Sequence, residues 1–214
     1  MSENAIGAEN QQGSPRPNIQ FLASDPSETT RRTPTTKYQI IAYLNGAIHD
    51  ATLNKGKRIR FAQKNKQWLE NLQGLLKQID CNSWIYKEGK DRNIYVLETL
   101  CKDLDFRFDP SRLRDNSEKA FYIRGFFDAE GGIPHTKDRF YIQLVQKDLD
   151  KMNKIKTMLS DIGIESGKIH NPSKKVDPDY WRIFISSKHH KKFAEIVNSY
   201  HPVKSKIFCD RMKI

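Results

Sequence analysis

Apolar residues recur at helical spacing along two stretches of this chain. Leu69, Leu72, Leu75, Leu76 and Ile79 form one stripe, and Met152, Ile155, Met158, Leu159 and Ile162 repeat it 83 positions later. The same shift carries Gln63 and Lys64 to Gln146 and Lys147. A single register that matches every apolar position of a helix defines a tandem pseudo-repeat, residues 36–115 and 116–214. Each repeat opens with an apolar helix, residues 38 to about 51 and 118 to about 130, capped by Thr35 or Thr36 and by Ser117. An alternating strand follows, with Ile59 and Phe61 on one face and Arg58 and Arg60 on the other. The amphipathic helix comes next, then short strands at 83–87 and 93–97, matched by 167–170 and 181–186. A closing helix is expected over about 189–200. Helices and antiparallel strands in duplicate predict an α+β fold. Residues 1–35 lack this periodicity and are rich in Gly, Ser, Pro, Asn, Gln and Thr, the composition of a disordered tail.

The head of the second repeat reads IRGFFDAEGG, residues 123–132. Gly125 and Ala129 stand four apart and share a helix face without side-chain bulk, as two closely packed helices require. Glu130 falls at the helix end, where the dipole disfavours a carboxylate unless a cation is nearby. The first copy, residues 43–52, is degenerate. Aligning Gly46 with Gly125 puts Ala51 at the position of Glu130, whereas counting from the helix caps, 50 − 36 = 14 from Thr36 and 130 − 117 = 13 from Ser117, favours Asp50. Asp50 is the choice that supplies a carboxylate.

Charge narrows the partner. The chain of 214 residues has 37 Lys and Arg against 26 Asp and Glu, a formal net charge of +11. Such an excess calls for a polyanion, nucleic acid first and an anionic membrane surface second. The strand faces bearing Arg58, Arg60 and Lys64, and Arg139, Tyr141, Gln143 and Lys147, suit base edges; Lys174 and Lys175 suit phosphates, and Arg182 is a further candidate for DNA binding. Apolar runs are too short to span a bilayer and no apolar leader follows Met1, so a cytoplasmic location is expected. Cys81, Cys101 and Cys209 are odd in number and far apart, and predict neither a disulfide framework nor a thiolate zinc site.

IRGFFDAEGG resembles the signature of the LAGLIDADG homing endonucleases, and the strand, Gln-Lys pair and amphipathic helix that follow resemble the family module in both halves. The segment 200–206 resembles the family's basic site. The resemblance implies two αββαββα modules in one chain, with the motif helices packed at a central seam and two antiparallel sheets forming a saddle over double-stranded DNA. It implies a monomeric nuclease of an intron or mobile element, hydrolysing phosphodiester bonds at a long, nearly asymmetric site. Asp50 and Glu130 would hold Mg2+; Gln63 and Gln146 would position water; Lys204 or Lys206 would polarise the scissile phosphate. Relatives that bind DNA without cutting, and splicing maturases that take intron RNA as partner, are the rival readings, favoured by the degenerate first motif.

Overall fold

Thr36 opens the first helix, α1 (Lys37–Ala47), with a capping box: its side chain accepts from the Gln39 amide and the Gln39 side chain returns the bond. The computed structural model describes residues 33–134, 136 and 139–212. The tail expected over residues 1–35 lies, up to residue 32, outside the described residues.

The first helix ends earlier than its apolar run. A 3₁₀ turn, Ile48–Asp50, follows Ala47 and leads into a strand that the periodicity did not show, β1 (Ala51–Asn54). Lys55 and Gly56 then take positive φ values of 50° and 67°, a tight turn whose twist suits a hairpin, and β2 (Arg58–Gln63) returns antiparallel. Next come α2 (Lys66–Gln78), capped by Asn65, and the hairpin β3 (Ser83–Lys87) and β4 (Tyr95–Thr99). The four strands are ordered β1-β2-β4-β3, all neighbours antiparallel. Ile59, Phe61 and Leu97 bury on the α2 side, whereas Arg58, Arg60, Trp84 and Tyr86 line the other.

No helix closes this half. Residues 100–115 form a connector with one 3₁₀ turn, Pro110–Arg112. Cys81 and Cys101, at either end of the β3–β4 hairpin, are joined in a disulfide with their Cα atoms 5.3 Å apart. The spacing of the cysteines predicted no disulfide framework, yet one bond forms, because antiparallel pairing brings together residues that 20 positions separate.

The second half begins with α3 (Asn116–Glu130). Its cap is Asp115, accepting from the Glu118 amide at 2.8 Å; Ser117, expected in that role, instead accepts from Gln39 of the other repeat at 2.8 Å. Then follow β5 (Gly131–Gly132), β6 (Gln143–Gln146), α4 (Leu149–Asp161) and β7 (Trp181–Phe184). Among the described residues this sheet has three strands, ordered β5-β6-β7. The fourth strand expected at 167–170 is reduced to two bridges, Ser166 to Ile185 and His170 to Arg182. They differ by one residue in register, so a bulge interrupts the ladder. Two helices finish the chain, α5 (His190–Ile196) and α6 (Pro202–Met212); the second was not foreseen, although Pro202 sits at its first position, where proline is favoured. None of the described helices is long and apolar enough to cross a membrane.

The repeated stripe holds. Leu69, Leu72, Leu75 and Leu76 of α2 and Met152, Ile155, Met158 and Leu159 of α4 are all buried, each contributing about 1.5–3 kcal/mol relative to exposure. Between the halves, α1 and α3 pack along each other and bury continuously from Ala42 to Ile48 and from Ala120 to Asp128. Buried Arg124 of α3 donates to the carbonyls of Val197 and Ile196 at the end of α5, placing a cation where the helix dipole favours one.

Candidate functional site at the helix seam

Glycine sets the spacing of the two central helices. A Cβ at Gly125 would press into the carbonyl oxygen of Tyr43 and lie 2.8 Å from the Ala47 nitrogen. A Cβ at Gly46 would press into the carbonyl oxygen of Tyr122 and lie 2.8 Å from the Phe126 nitrogen. The two sets are images of each other, so the seam has an approximate two-fold relation between the repeats. Side chains follow it too. The Tyr43 hydroxyl donates to Asp128 at 2.8 Å, while the Tyr122 hydroxyl meets His49 Nε2 at 3.2 Å.

Asp128 is therefore a tie between halves. Wholly buried, it also accepts from the Ser199 hydroxyl and, at 2.9 Å, from the Tyr200 amide, and Trp68 donates its indole N–H to the Tyr43 oxygen at 3.0 Å. Burial pushes the Asp128 carboxyl up, against these bonds and the charge of Lys204, which favour the anion.

One carboxylate emerges at the end of each central helix, Asp50 after α1 and Glu130 at the last position of α3. Burial raises both. The charge of Asp50 raises Glu130 further, and Lys204 lowers each of them. The Asp50 carboxylate is gripped by the Gln63 side-chain amide from the end of β2. Ala51, the alternative equivalent of Glu130, is already the first residue of β1 and pairs with Phe61. Lys204 of α6 reaches into this gathering and donates to the carbonyls of Phe127 and Asp128 at 2.6 and 2.9 Å. Burial depresses its ammonium to about 8, although Asp128, Asp50 and Glu130 all act to raise it.

Gln146 is placed elsewhere. Its amide meets His49 Nδ1 at 3.2 Å and its carbonyl accepts from the Lys147 amide at 2.7 Å. His49, missed by the sequence reading, is held neutral by burial, with its pKa depressed to about 3. Its signal was its spacing: it stands three residues after Gly46, as Asp128 stands three after Gly125. Lys206 is exposed on α6 and lines a groove with Cys209 and residues of α2; Lys204 alone of the two faces the carboxylates. Ala129 is half-buried near the end of α3.

The strand residues expected to meet nucleic acid divide by their partners. Arg58 is paired with Glu98 and Arg60 with Glu88, on the sheet face away from α2. Lys147 pairs with Asp177 at 3.6 Å, and Arg182 lies over the rings of Tyr180 and Phe184. Tyr141 packs edge-on against Phe184, and the Gln143 side chain covers Gly132. Lys64, Arg139, Lys174 and Lys175 are exposed.

Two carboxylates and a carboxamide are hard oxygen donors, the set that suits magnesium, calcium or manganese. The repulsion that raises Glu130 beside Asp50 is what a divalent cation would relieve. Cys81, Cys101 and Asp103 are also grouped closely enough to ligate, but both sulfurs are consumed in the disulfide.

The sequence matches the family described as "LAGLIDADG-like domain" over residues 42–107 and 117–198. Comparison with curated proteins finds no match. Among solved structures, I-DmoI in complex with DNA and manganese superposes with a TM-score of 0.58 at 22% identity, over 76% of this chain and 98% of that one. I-DmoI with DNA and calcium gives 0.60 at 20% identity, over 82% and 99%. Full-length DUF199/WhiA from Thermatoga maritima gives 0.61 at 19% identity, over 84% of this chain and 63% of that one.

Proposed function

We propose, from the premise that this chain belongs to the LAGLIDADG-like domain family, that it is a DNA endonuclease which binds double-stranded DNA across its two sheets and hydrolyses phosphodiester bonds at the helix seam. The observation that carries this reading is the convergence of Asp50 and Glu130, one from each repeat, on Lys204. Both helices come from one chain, so a monomer contains the whole site.

Asp50 and Glu130 would hold the divalent cation, magnesium in our assignment, and Gln63 would fix the rotamer of Asp50. A cation bound there supplies a water of lowered pKa and stabilises the leaving oxygen of an in-line displacement. Lys204, its ammonium fixed by the Phe127 and Asp128 carbonyls, offers positive charge to a phosphate lying over the seam. The Asp128 tie keeps α3 and the approach to α6 in place, so that Lys204 and Glu130 keep their relative positions.

A second reading, a DNA binder that does not cut, is favoured by one observation. Gln146 is engaged by His49, and the seam therefore has one glutamine at a carboxylate rather than two. A randomised duplex library incubated with magnesium separates the two readings. Recovery of cut ends at one sequence supports the nuclease. Enrichment by binding, with no cut ends under magnesium or manganese, replaces it with the binder.

A further inference from the structure

Glu98 is a buried carboxylate on the wrong side of its sheet. It lies on β4, on the face turned away from α2, and is only 3% exposed. Three strands converge on it: Asn54 of β1 donates at 3.3 Å, Arg58 of β2 at 3.4 Å and the Tyr86 hydroxyl of β3 at 3.1 Å. Arg58 also lies over the Trp84 ring, 5.5 Å from its centroid. Beside this group, Glu88 holds Arg60 and stands 3.8 Å from Arg92.

For a surface that only gathers phosphate, these carboxylates are counterproductive, because each repels the backbone and cancels an arginine. The backbone ladder β1-β2-β4-β3 already joins the strands without them. What Glu98 adds is orientation. A free arginine side chain gives up rotamer freedom when it is ordered, a cost set against any contact it then makes. Here that ordering is done before any ligand arrives, and Arg58 keeps half its side-chain surface open. An arginine fixed in advance can present its guanidinium edge to guanine O6 and N7, the bidentate contact that discriminates bases. In the other sheet the matching place differs: opposite Gln143, which corresponds to Arg60, stands Phe184 rather than a carboxylate.

We infer that Glu98 is a specificity-determining positioning residue: it holds Asn54, Arg58 and Tyr86 as one array that reads bases in the half-site under the first repeat. The inference rests on the DNA-binding reading above. It is tested by binding selection from a randomised duplex library without divalent ions, comparing the parent with Glu98→Gln. The expected result is at least a tenfold loss of base discrimination at positions confined to one half of the enriched site, with affinity for random duplex equal or higher. Tyr86→Phe, which removes one donor and leaves the charge, should weaken discrimination at those same positions by a smaller factor. It also serves should Glu98→Gln not fold. Unchanged base preference, or a loss spread evenly over both halves, overturns the inference. A parent that enriches no sequence overturns the DNA-reading premise and the inference with it, and that result is visible in the parent alone.

Discussion

Tyr43 of the first repeat donates its hydroxyl to Asp128 of the second at 2.8 Å, and both side chains are wholly or almost wholly buried. The inverted partner of this link, Tyr122 with His49, is longer and less buried. The two should therefore differ in worth. Tyr43→Phe leaves the buried carboxylate short of a donor and Trp68 short of an acceptor, and should cost about 1–3 kcal/mol. Tyr122→Phe should cost about 0.5–1.5 kcal/mol. Urea unfolding of both variants measures the pair; equal losses would show that burial does not separate them.

Gly125→Ala is a one-methyl change with no space to occupy. Both nearest atoms are backbone, so the added carbon can be accepted only by separating α1 from α3. The expected destabilisation is about 1–3 kcal/mol or more, read as a fall in thermal midpoint. Gly74→Ala is the control: nothing lies within 4 Å of a Cβ there, and in an exposed helix position alanine should be neutral or stabilising.

The two carboxylates should be separable from DNA affinity. Glu130→Gln should abolish metal-dependent cleavage while duplex binding stays within a few-fold of the parent, since it removes a negative charge facing phosphate. Asp50→Asn should also abolish cleavage, and it carries a second readout. The charge of Asp50 raises the Glu130 carboxyl, so Glu130 should titrate at lower pH in Asp50→Asn, followed by NMR of labelled glutamate. A Glu130 titration unmoved by that substitution would mean that the carboxylates are not electrostatic neighbours.

Lys204 should leave a signature in stability against pH. Its ammonium titrates near 8 in the folded chain and at about 10.5 when unfolded. Below pH 8 it is charged in both states, and the cost of burying it is fully present. As pH rises through 8 the folded protein loses the proton while the unfolded chain keeps it, so stability rises. Denaturant midpoints without divalent ions should thus climb from pH 8 to 10 in the parent relative to Lys204→Met. The opposite slope would place Lys204 in solvent.

Duplex affinity should fall steeply with salt. Neutralised phosphates release counterions, so several decades of loss are expected between about 50 and 200 mM salt. A flat response, measured by fluorescence anisotropy, would remove nucleic acid as the partner.

Periodicity made the helices legible because their stripes face one core: Leu69 through Leu76 and Met152 through Leu159 bury as they are spaced. It failed where a chain reverses within a few residues. The helix expected to about 51 gives way at Ala51 to an edge strand, which the turn through the positive φ of Lys55 and Gly56 pairs with β2. The register slip at 166–170 leaves no trace in residue type. Of the site, Glu130 could be found because a carboxylate at a helix end contradicts local preference. Asp50 was reached by counting from Ser117; from the true cap, Asp115, the count to Glu130 is 130 − 115 = 15, which from Thr36 leads to Ala51. It is the 3₁₀ turn after Ala47 and the bond from Gln63 that single out Asp50. Glu98 gave no signal of its own, and His49 only its place three residues after Gly46, because what defines each is a partner on another strand or helix. Lys204 and Lys206 are two apart and alike in sequence; only the rotation of α6 tells them apart.

The mirrored glycine contact makes each half a self-matching piece. Cut in the connector between β4 and α3, the chain would yield fragments whose adhesive faces are Tyr43, Gly46 and Ala47 on one and Tyr122, Gly125 and Phe126 on the other. A second copy of α1 could approach Gly46 as closely as α3 does, with Tyr43 of one copy meeting His49 of the other, as Tyr122 does here. Co-expressed halves should thus reassociate through this seam, and a lone first half should pair with a second copy of itself, as size-exclusion chromatography of the separate fragments would check.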